Sequence, residues 1–264
     1  MNWIDVHNHL HDSRLGGDEK SLIDEMVTAG VGWCVVNATC QSDWEQVAKL
    51  ADVYPDFILP AFGVHPWKAG EVSGDWIDRM AILLEKFPKA SVGEIGLDQW
   101  VDDPVIEVQR EVFSQQLRVA REYGRPVTIH CLKAWQPLFD VFEDEPPPNG
   151  FLMHSFGGSI EVAERLIPLG AYFSFSGYFL NERKAKVVEV FRQLPRDRIL
   201  VETDAPDMSP PACYVDHPLG DQNHPANLSG IAKALSEKLG MEPNELAEIT
   251  SANARCLFGA PDGS

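Results

Sequence analysis

The chain has 264 residues, 44% hydrophobic amino acids and a formal net charge of −18. This apolar fraction supplies a full core and excludes a mainly disordered protein. No apolar run approaches the roughly 18 residues that a membrane-spanning helix needs. The acidic charge argues against nucleic-acid binding through a general positive surface. A polyanionic substrate is still compatible with it, because bound divalent cations reverse the local field.

The cysteines and the N-terminus indicate an intracellular protein. The five cysteines are odd in number, scattered and without a C-x-x-C pair, which is typical of reduced thiols. The opening residues MNWID lack the basic and apolar regions of a secretion signal. We therefore expect a cytoplasmic protein with no membrane segment, and the sequence gives no sign of an obligate protein partner.

Short apolar runs alternate with amphipathic segments along the chain, which is typical of repeated strand–helix units. The predicted strands cover residues 3–6, 31–37, 58–62, 91–95, 126–130, 150–154, 171–175 and 199–202. The predicted helices cover 19–29, 43–53, 76–87, 105–123, 134–143, 160–169, 182–194, 227–239 and 242–257. Eight such units in strict order predict an α/β fold, a closed TIM (β/α)8 barrel that forms one domain over residues 1–264.

Five of the eight histidines lie at or just beyond the C-terminal ends of predicted strands: His7, His9, His65, His130 and His154. In a TIM barrel these ends converge on one mouth, so residues distant in sequence become neighbours. In the motif D-V-H-N-H the two histidines are two residues apart, so both side chains can face the barrel interior and bind one metal ion. An H-x-H pair taken alone fits two polar strand-end residues equally well.

Two carboxylates occupy similar positions. Glu94, in V-G-E-I-G, ends the fourth strand, where it could bridge two cations or pair with a buried Arg or Lys. Asp204, in E-T-D-A-P, follows the eighth strand and becomes a neighbour of the first strand when the barrel closes. Nitrogen and oxygen ligands in this combination suit two divalent metal ions a few ångströms apart. The predicted set is His7, His9, Glu94, His130, His154 and Asp204.

Other residues near the strand ends have weaker signals. His65, in G-V-H-P-W, is interpreted as a contact to substrate or to a metal ligand, with a plain loop residue as an equal alternative. Arg183 could meet a phosphate or lie on a solvated helix face. Trp67 could stack on a base or pack within its loop. We expect His217 and His224, in the long loop after the eighth strand, to be solvated, with a role in a lid as the alternative.

The motifs occur in an order that resembles the TatD family of metal-dependent deoxyribonucleases. They are D-x-H-x-H, G-V-H-P, G-E-I-G-L-D, a histidine ending the fifth strand, H-S-F-G-G, E-T-D-A-P and a closing N-A-x-x-L-F. The match runs from Asp5 to about Leu257, nearly the whole chain. The resemblance implies a TIM barrel of the amidohydrolase superfamily that cleaves phosphodiester bonds at a divalent-metal centre.

The resemblance also implies roles for the residues that match these motifs. It assigns one metal ion to His7, His9, Glu94 and Asp204, and a second to Glu94, His130 and His154. Both carboxylates would then be catalytic, and Asp204 would accept a proton from the attacking water. Zinc, manganese and magnesium are the candidate ions.

Two departures from the family pattern concern the substrate. Where the family often has an arginine two residues after the fifth-strand histidine, this chain has Leu132, and Lys133 comes one place later. The loop motif R-N-E-P reads Q-N-H-P at residues 222–225. Both lie where phosphate contacts are expected, so Lys133 joins His65 and Arg183 as a predicted substrate contact.

The residues do not by themselves choose the bond that is cleaved. We expect DNA cleaved from single strands or ends, or a small phosphoester. Hydrolysis of an amide or ester at the same centre, and a metal-binding protein without catalysis, remain alternatives. No phosphate loop, dinucleotide-binding G-x-G-x-x-G or nucleophile elbow G-x-S-x-G occurs, which disfavours kinases, dehydrogenases and serine hydrolases.

Overall fold

The computed structural model describes residues 2–16, 18–101, 105–148 and 150–261, in which strands and helices alternate as predicted. The strands are β1 (Trp3–Asn8), β2 (Val31–Asn37), β3 (Ile58–Ala61), β4 (Val92–Asp98), β5 (Val127–Leu132), β6 (Phe151–Met153), β7 (Ala171–Phe175) and β8 (Ile199–Val201). The helices are α1 (Glu19–Thr28), α2 (Trp44–Val53), α3 (Trp76–Lys86), α4 (Ile106–Glu122), α5 (Trp135–Asp144), α6 (Ile160–Leu166), α7 (Ala185–Gln193), α8 (Leu228–Leu239) and α9 (Pro243–Phe258).

The strands are parallel and follow chain order, but their ladder is not continuous. One sheet has the order β1-β2-β3 and the other the order β4-β5-β6-β7-β8. The α/β barrel-type fold is therefore confirmed, whereas the prediction of one closed ladder is wrong at two seams. Short contacts at both seams still bring the two sheets together.

At the seam between β3 and β4, Phe62 donates its N–H to the carbonyl oxygen of Ser91 (3.1 Å) and accepts from the N–H of Gly93 (3.2 Å). At the seam between β8 and β1, the carboxylate of Asp5 replaces a backbone acceptor. It accepts from the N–H (2.9 Å) and the hydroxyl (2.6 Å) of Thr203. A side-chain oxygen thus interrupts the backbone ladder here while holding the strands side by side.

The strands read as nearly continuous apolar runs because both of their faces are covered. All residues of β1 and β4 are buried, including their polar ones. Parallel sheets between a packed interior and an outer layer of helices have this pattern. Large rings such as Trp3, Trp33 and Phe173 fill the core with almost no exposed surface. In the described residues, no helix is long and apolar enough to cross a membrane.

Element boundaries differ from the prediction by a few residues, mostly where polar residues continue a strand. β1 reaches Asn8 and β4 reaches Asp98, because buried hydrogen bonds satisfy the polar residues that suggested a strand end. The predicted helix over 160–169 ends in a 3-10 turn, Ile167–Leu169, and the one over 182–194 begins with a 3-10 turn, Glu182–Lys184. Pro168 explains why the first helix ends early, since proline cannot donate the next helical hydrogen bond.

Candidate metal centre

Glu94, on β4, lies between two pairs of histidines at the C-terminal ends of the strands. Its Oε2 is 3.4 Å from Nε2 of His7 and 3.5 Å from Nε2 of His9. Its Oε1 is 3.1 Å from Nδ1 of His130 and 2.8 Å from Nε2 of His154. The carboxylate is only 3% exposed. Each of its two oxygens therefore faces a different pair of imidazoles.

Asp204 completes the first group of ligand atoms. Its Oδ1 lies 3.4 Å from Nε2 of His7 and 3.5 Å from Nε2 of His9, and these two nitrogens are 3.3 Å apart. A tetrahedral set of ligands at about 2.0–2.1 Å from an ion has ligand-to-ligand edges of about 3.3–3.4 Å. The five edges that join His7 and His9 to each other and to the two carboxylates are 3.3–3.5 Å, close to that spacing, so these side chains fit a divalent cation.

Hydrogen bonds orient two of these imidazoles from their outer nitrogens. Nδ1 of His9 lies 2.8 Å from the carbonyl oxygen of Asn37, and Nε2 of His130 lies 2.9 Å from Oδ2 of Asp98. In the neutral ring each outer nitrogen must carry the proton to donate to an oxygen, so the inner nitrogen is left with a free lone pair. Sequence reasoning missed the role of Asp98, although strand parity with Glu94 places both carboxylates on one face of β4.

Glu202 lies beneath the histidines. Its Oε1 accepts from the N–H and the hydroxyl of Ser155 at 2.7 Å each, and its Oε2 accepts from the hydroxyl of Ser174. The same Oε1 is 3.7 Å from Nδ1 of His154. The ring of His154 stacks on that of His7 with centroids 4.1 Å apart. Glu202 therefore satisfies interior donors and faces the outer side of a predicted ligand.

The charges of the cluster balance in a way that favours a cation. Burial opposes the charged form of His9, but its hydrogen bond to Asp204 and the charge of Glu94 raise its pKa to about 9. Burial likewise opposes ionisation of Glu94, yet the charge of His154 holds the pKa of Glu94 well below its ordinary value. Hydrogen bonds from His7 and His9 lower the pKa of Asp204 against the effect of burial. The buried carboxylates thus require positive charge beside them.

The predicted substrate contacts are placed differently. Nε2 of His65 is 3.4 Å from Oε1 of Glu94, while its Nδ1 accepts the N–H of Trp67 (3.2 Å), so the proton of the neutral ring lies on Nε2. His65 is therefore a hydrogen-bond donor at the centre. The contacts of Lys133 and Arg183 are instead with aromatic residues. Lys133 lies over Trp100, and the exposed Arg183 donates to the hydroxyl of Tyr178 (2.7 Å).

The expectation that His224 is solvated is wrong. Only 4% of this residue is exposed, because its Nδ1 accepts the N–H of Ala226 (3.1 Å) and caps the short helical turn that precedes α8. Its ring stacks on that of His217 with centroids 5.4 Å apart, and Nε2 lies 3.6 Å from Oε2 of Glu25. His217 is half-buried beside the same carboxylate. Both histidines thus bind the long loop to α1.

Comparison with known proteins shows the family of the chain. Residues 4–259 match the family described as TatD related DNase. The "Uncharacterized metal-dependent hydrolase YjjV" of Escherichia coli (strain K12) is 31% identical over 98% of both chains. The "3'-5' ssDNA/RNA exonuclease TatD" of Citrobacter rodentium (strain ICC168) is 30% identical over 97% of both chains.

Solved structures give the same relationship. The crystal structure of YjjV, a TatD homologue from Escherichia coli K12, superposes with a TM-score of 0.90 at 31% identity and covers 98% of each chain. A TatD family hydrolase from Entamoeba histolytica superposes with a TM-score of 0.83 at 21% identity, which supports the fold alone. With a family match over almost its whole length, the chain belongs to the TatD-related DNase family of metal-dependent hydrolases.

Proposed function

We propose that the chain hydrolyses phosphodiester bonds of single-stranded nucleic acid, DNA in the first instance, working from a strand end with divalent metal ions. The observation that supports this most is the position of Glu94, whose two oxygens face two separate pairs of histidines. A carboxylate between two metal ions is the arrangement expected for phosphodiester hydrolysis with two metals. Relatives named as single-strand exonucleases support the same substrate.

In this proposal the six predicted ligands would hold two ions, zinc, manganese or magnesium. Bound there, the ions would supply Lewis acidity that polarises phosphoryl oxygens and acidifies water. One ion would be held by His7, His9, Glu94 and Asp204, and the other by Glu94, His130 and His154.

The protein's own groups position and move protons. Asp204 lies at the mouth with a positive φ of 54°, a conformation that aspartate tolerates better than most residues. Because its Oδ1 already faces His7 and His9, the carboxylate is held where it can take a proton from the attacking water. His65, whose proton lies on Nε2, would donate it to a phosphoryl oxygen of the substrate.

The overall charge supports cleavage at strand ends. A chain with a formal charge of −18 repels a long polyanion over most of its surface. Attraction is then confined to the mouth, where the bound cations and nearby donors lie. A single strand can enter such a site by its end, whereas a duplex would have to lie against the acidic surface.

The test is degradation of an end-labelled single-stranded DNA oligonucleotide by metal-stripped protein to which magnesium, manganese or zinc is restored in turn. We expect metal-dependent shortening from one end, and its loss in His154→Ala. His217→Ala is the matched control, because it removes a histidine that contacts Glu25 in place of the predicted ligands. Metal-dependent activity retained in His154→Ala would contradict the site assignment. Turnover of only small phosphoesters or amides in a parallel panel would contradict the substrate.

A further inference from the structure

Two exposed tryptophans lie beside the candidate metal centre. Trp67 follows β3 and is 60% exposed, and Trp100 follows β4 and is 63% exposed. Tryptophan is highly buried on average, since its large ring gains more than most side chains from leaving water. Two indoles exposed on neighbouring loops at the mouth therefore indicate a surface that contacts something else.

Both loops are fixed to the centre by one carboxylate. Oδ2 of Asp98 accepts from the indole Nε1–H of Trp67 (2.8 Å) and lies 2.9 Å from Nε2 of His130. Oδ1 of Asp98 accepts from the backbone N–H of Trp100 (2.6 Å). The ring of Trp67 also meets that of His65, with centroids 4.9 Å apart. The indole of Trp67 and the backbone that carries Trp100 are thus held at the edge of the candidate metal centre.

A cation accompanies the rings. Nζ of Lys133 lies 5.1 Å from the ring centroid of Trp100, and the loops that carry these two residues are joined by a hydrogen bond from Gln99 N–H to the carbonyl oxygen of Leu132 (2.9 Å). In a strongly acidic protein, an exposed lysine over an indole is a local reversal of charge. Aromatic faces combined with a cation are the features that bind single-stranded nucleic acid, where bases stack and phosphates pair.

We propose that Trp67, Trp100 and Lys133, here called the rim platform, form a subsite for an unpaired nucleotide next to the scissile phosphate. The base stacks on an indole, and its phosphate meets Lys133. This inference rests on the proposed function for the position of the scissile phosphate. It adds the residues that select an unstacked base. Duplex bases present no free face to the platform, so the platform selects single strands or frayed ends.

The test compares two fluorescein-labelled probes of equal charge: a chain of eight thymidines and an eight-unit chain of abasic sites. Both probes carry phosphorothioate linkages, which resist hydrolysis, and their binding to the metal-loaded protein is measured by fluorescence anisotropy. We expect the wild type to prefer the thymidine chain, and Trp100→Ala to weaken that binding about tenfold without changing the abasic one. Trp100→Phe retains the preference for thymidine, and Lys133→Ala weakens the binding of both probes. Ile82→Ala, on α3 and also 63% exposed, is the control that changes neither.

The proposal is overturned if the wild type binds neither probe or does not prefer thymidine. It is equally overturned if Trp100→Ala binds thymidine like the wild type, or loses both probes to the same extent. Cleavage of the thymidine chain with ordinary phosphodiester linkages by the metal-loaded wild type is measured separately. Cleavage without a preference for bases refutes the platform alone, whereas base-dependent binding without cleavage refutes the proposed hydrolysis and leaves the platform as a binding site.

Discussion

Replacing Asp98 with asparagine tests whether His130 is held ready for metal. The carboxylate of Asp98 accepts from three donors: the indole of Trp67, the backbone N–H of Trp100 and Nε2 of His130. An asparagine side chain has a single oxygen acceptor, so its NH2 group must face at least one of these donors. In either orientation His130 loses its ionised acceptor, which weakens the arrangement that keeps the proton on its outer nitrogen.

The structure also indicates the size of the effect. Partners that orient a metal-binding histidine are typically worth 10- to 100-fold in metal affinity, which is about 1.4–2.8 kcal/mol. Because Asp98 is fully buried and the lost acceptor is ionised, we expect Asp98→Asn to lower the affinity for the ion bound by His130 about 30- to 100-fold. The ion held by His7 and His9 should keep its affinity, since Asn37 orients His9 independently.

The assay is competition between the protein and a chromogenic zinc chelator, resolved into two binding steps and checked by metal content. Trp67→Phe is the control, because it removes one donor to Asp98 and leaves the carboxylate facing His130. Its affinities should stay within about threefold of wild type. The reasoning is refuted if Asp98→Asn binds both ions as the wild type does. It is also refuted if both affinities fall equally while circular dichroism shows a folded protein.

Three further perturbations test the scaffold. A Cβ at Gly96 would lie 1.9 Å from a β5 carbonyl oxygen at a φ of +139°, so Gly96→Ala should lower the Tm by roughly 10 °C, whereas Gly74→Ala, in open space, should leave it unchanged. Hydrogen bonds from His11 and Thr39 outweigh burial and keep the pKa of Asp43 below 3.8. Asp43→Asn should therefore lower the Tm at pH 7, and the difference from wild type should vanish as the pH falls through and below 4, because the stabilisation requires the ionised carboxylate; a constant difference would contradict this. Chelation should remove about 4 kcal/mol of unfolding free energy if the metal had been at a thousand times its Kd, and calorimetry with and without EDTA measures it.

The order of strands and helices and the types of metal-binding residue could be predicted directly from the sequence. Alternating apolar runs predicted eight strand–helix units, and six of the eight strand ends carried a histidine or carboxylate able to bind metal. The sequence could not predict contacts that depend on the register between neighbouring strands. Asp98 pairs with Leu132 across β4 and β5, and only this register brings its carboxylate within reach of His130. The sequence named Trp67 and Lys133 as possible substrate contacts, but it did not predict Trp100 or the position of Lys133 over its ring.

The break in the ladder explains why Glu94 can face both pairs of histidines. A Cβ at Gly63 would lie 2.5 Å from the carbonyl carbon of Gly93, and one at Gly93 would lie 2.8 Å from Cβ of Thr128. Only glycines allow the backbones to approach this closely. The β4–β5 register shifts at the same place, and the N–H of Glu94 donates to Ala38 (2.9 Å), beyond the end of β2. Local irregularities of this kind redirect a side chain at the rim of a barrel. In a regular ladder through Gly93, the side chains would have continued to alternate between the two faces of β4. The seam that interrupts the predicted barrel is therefore the feature that positions its central carboxylate.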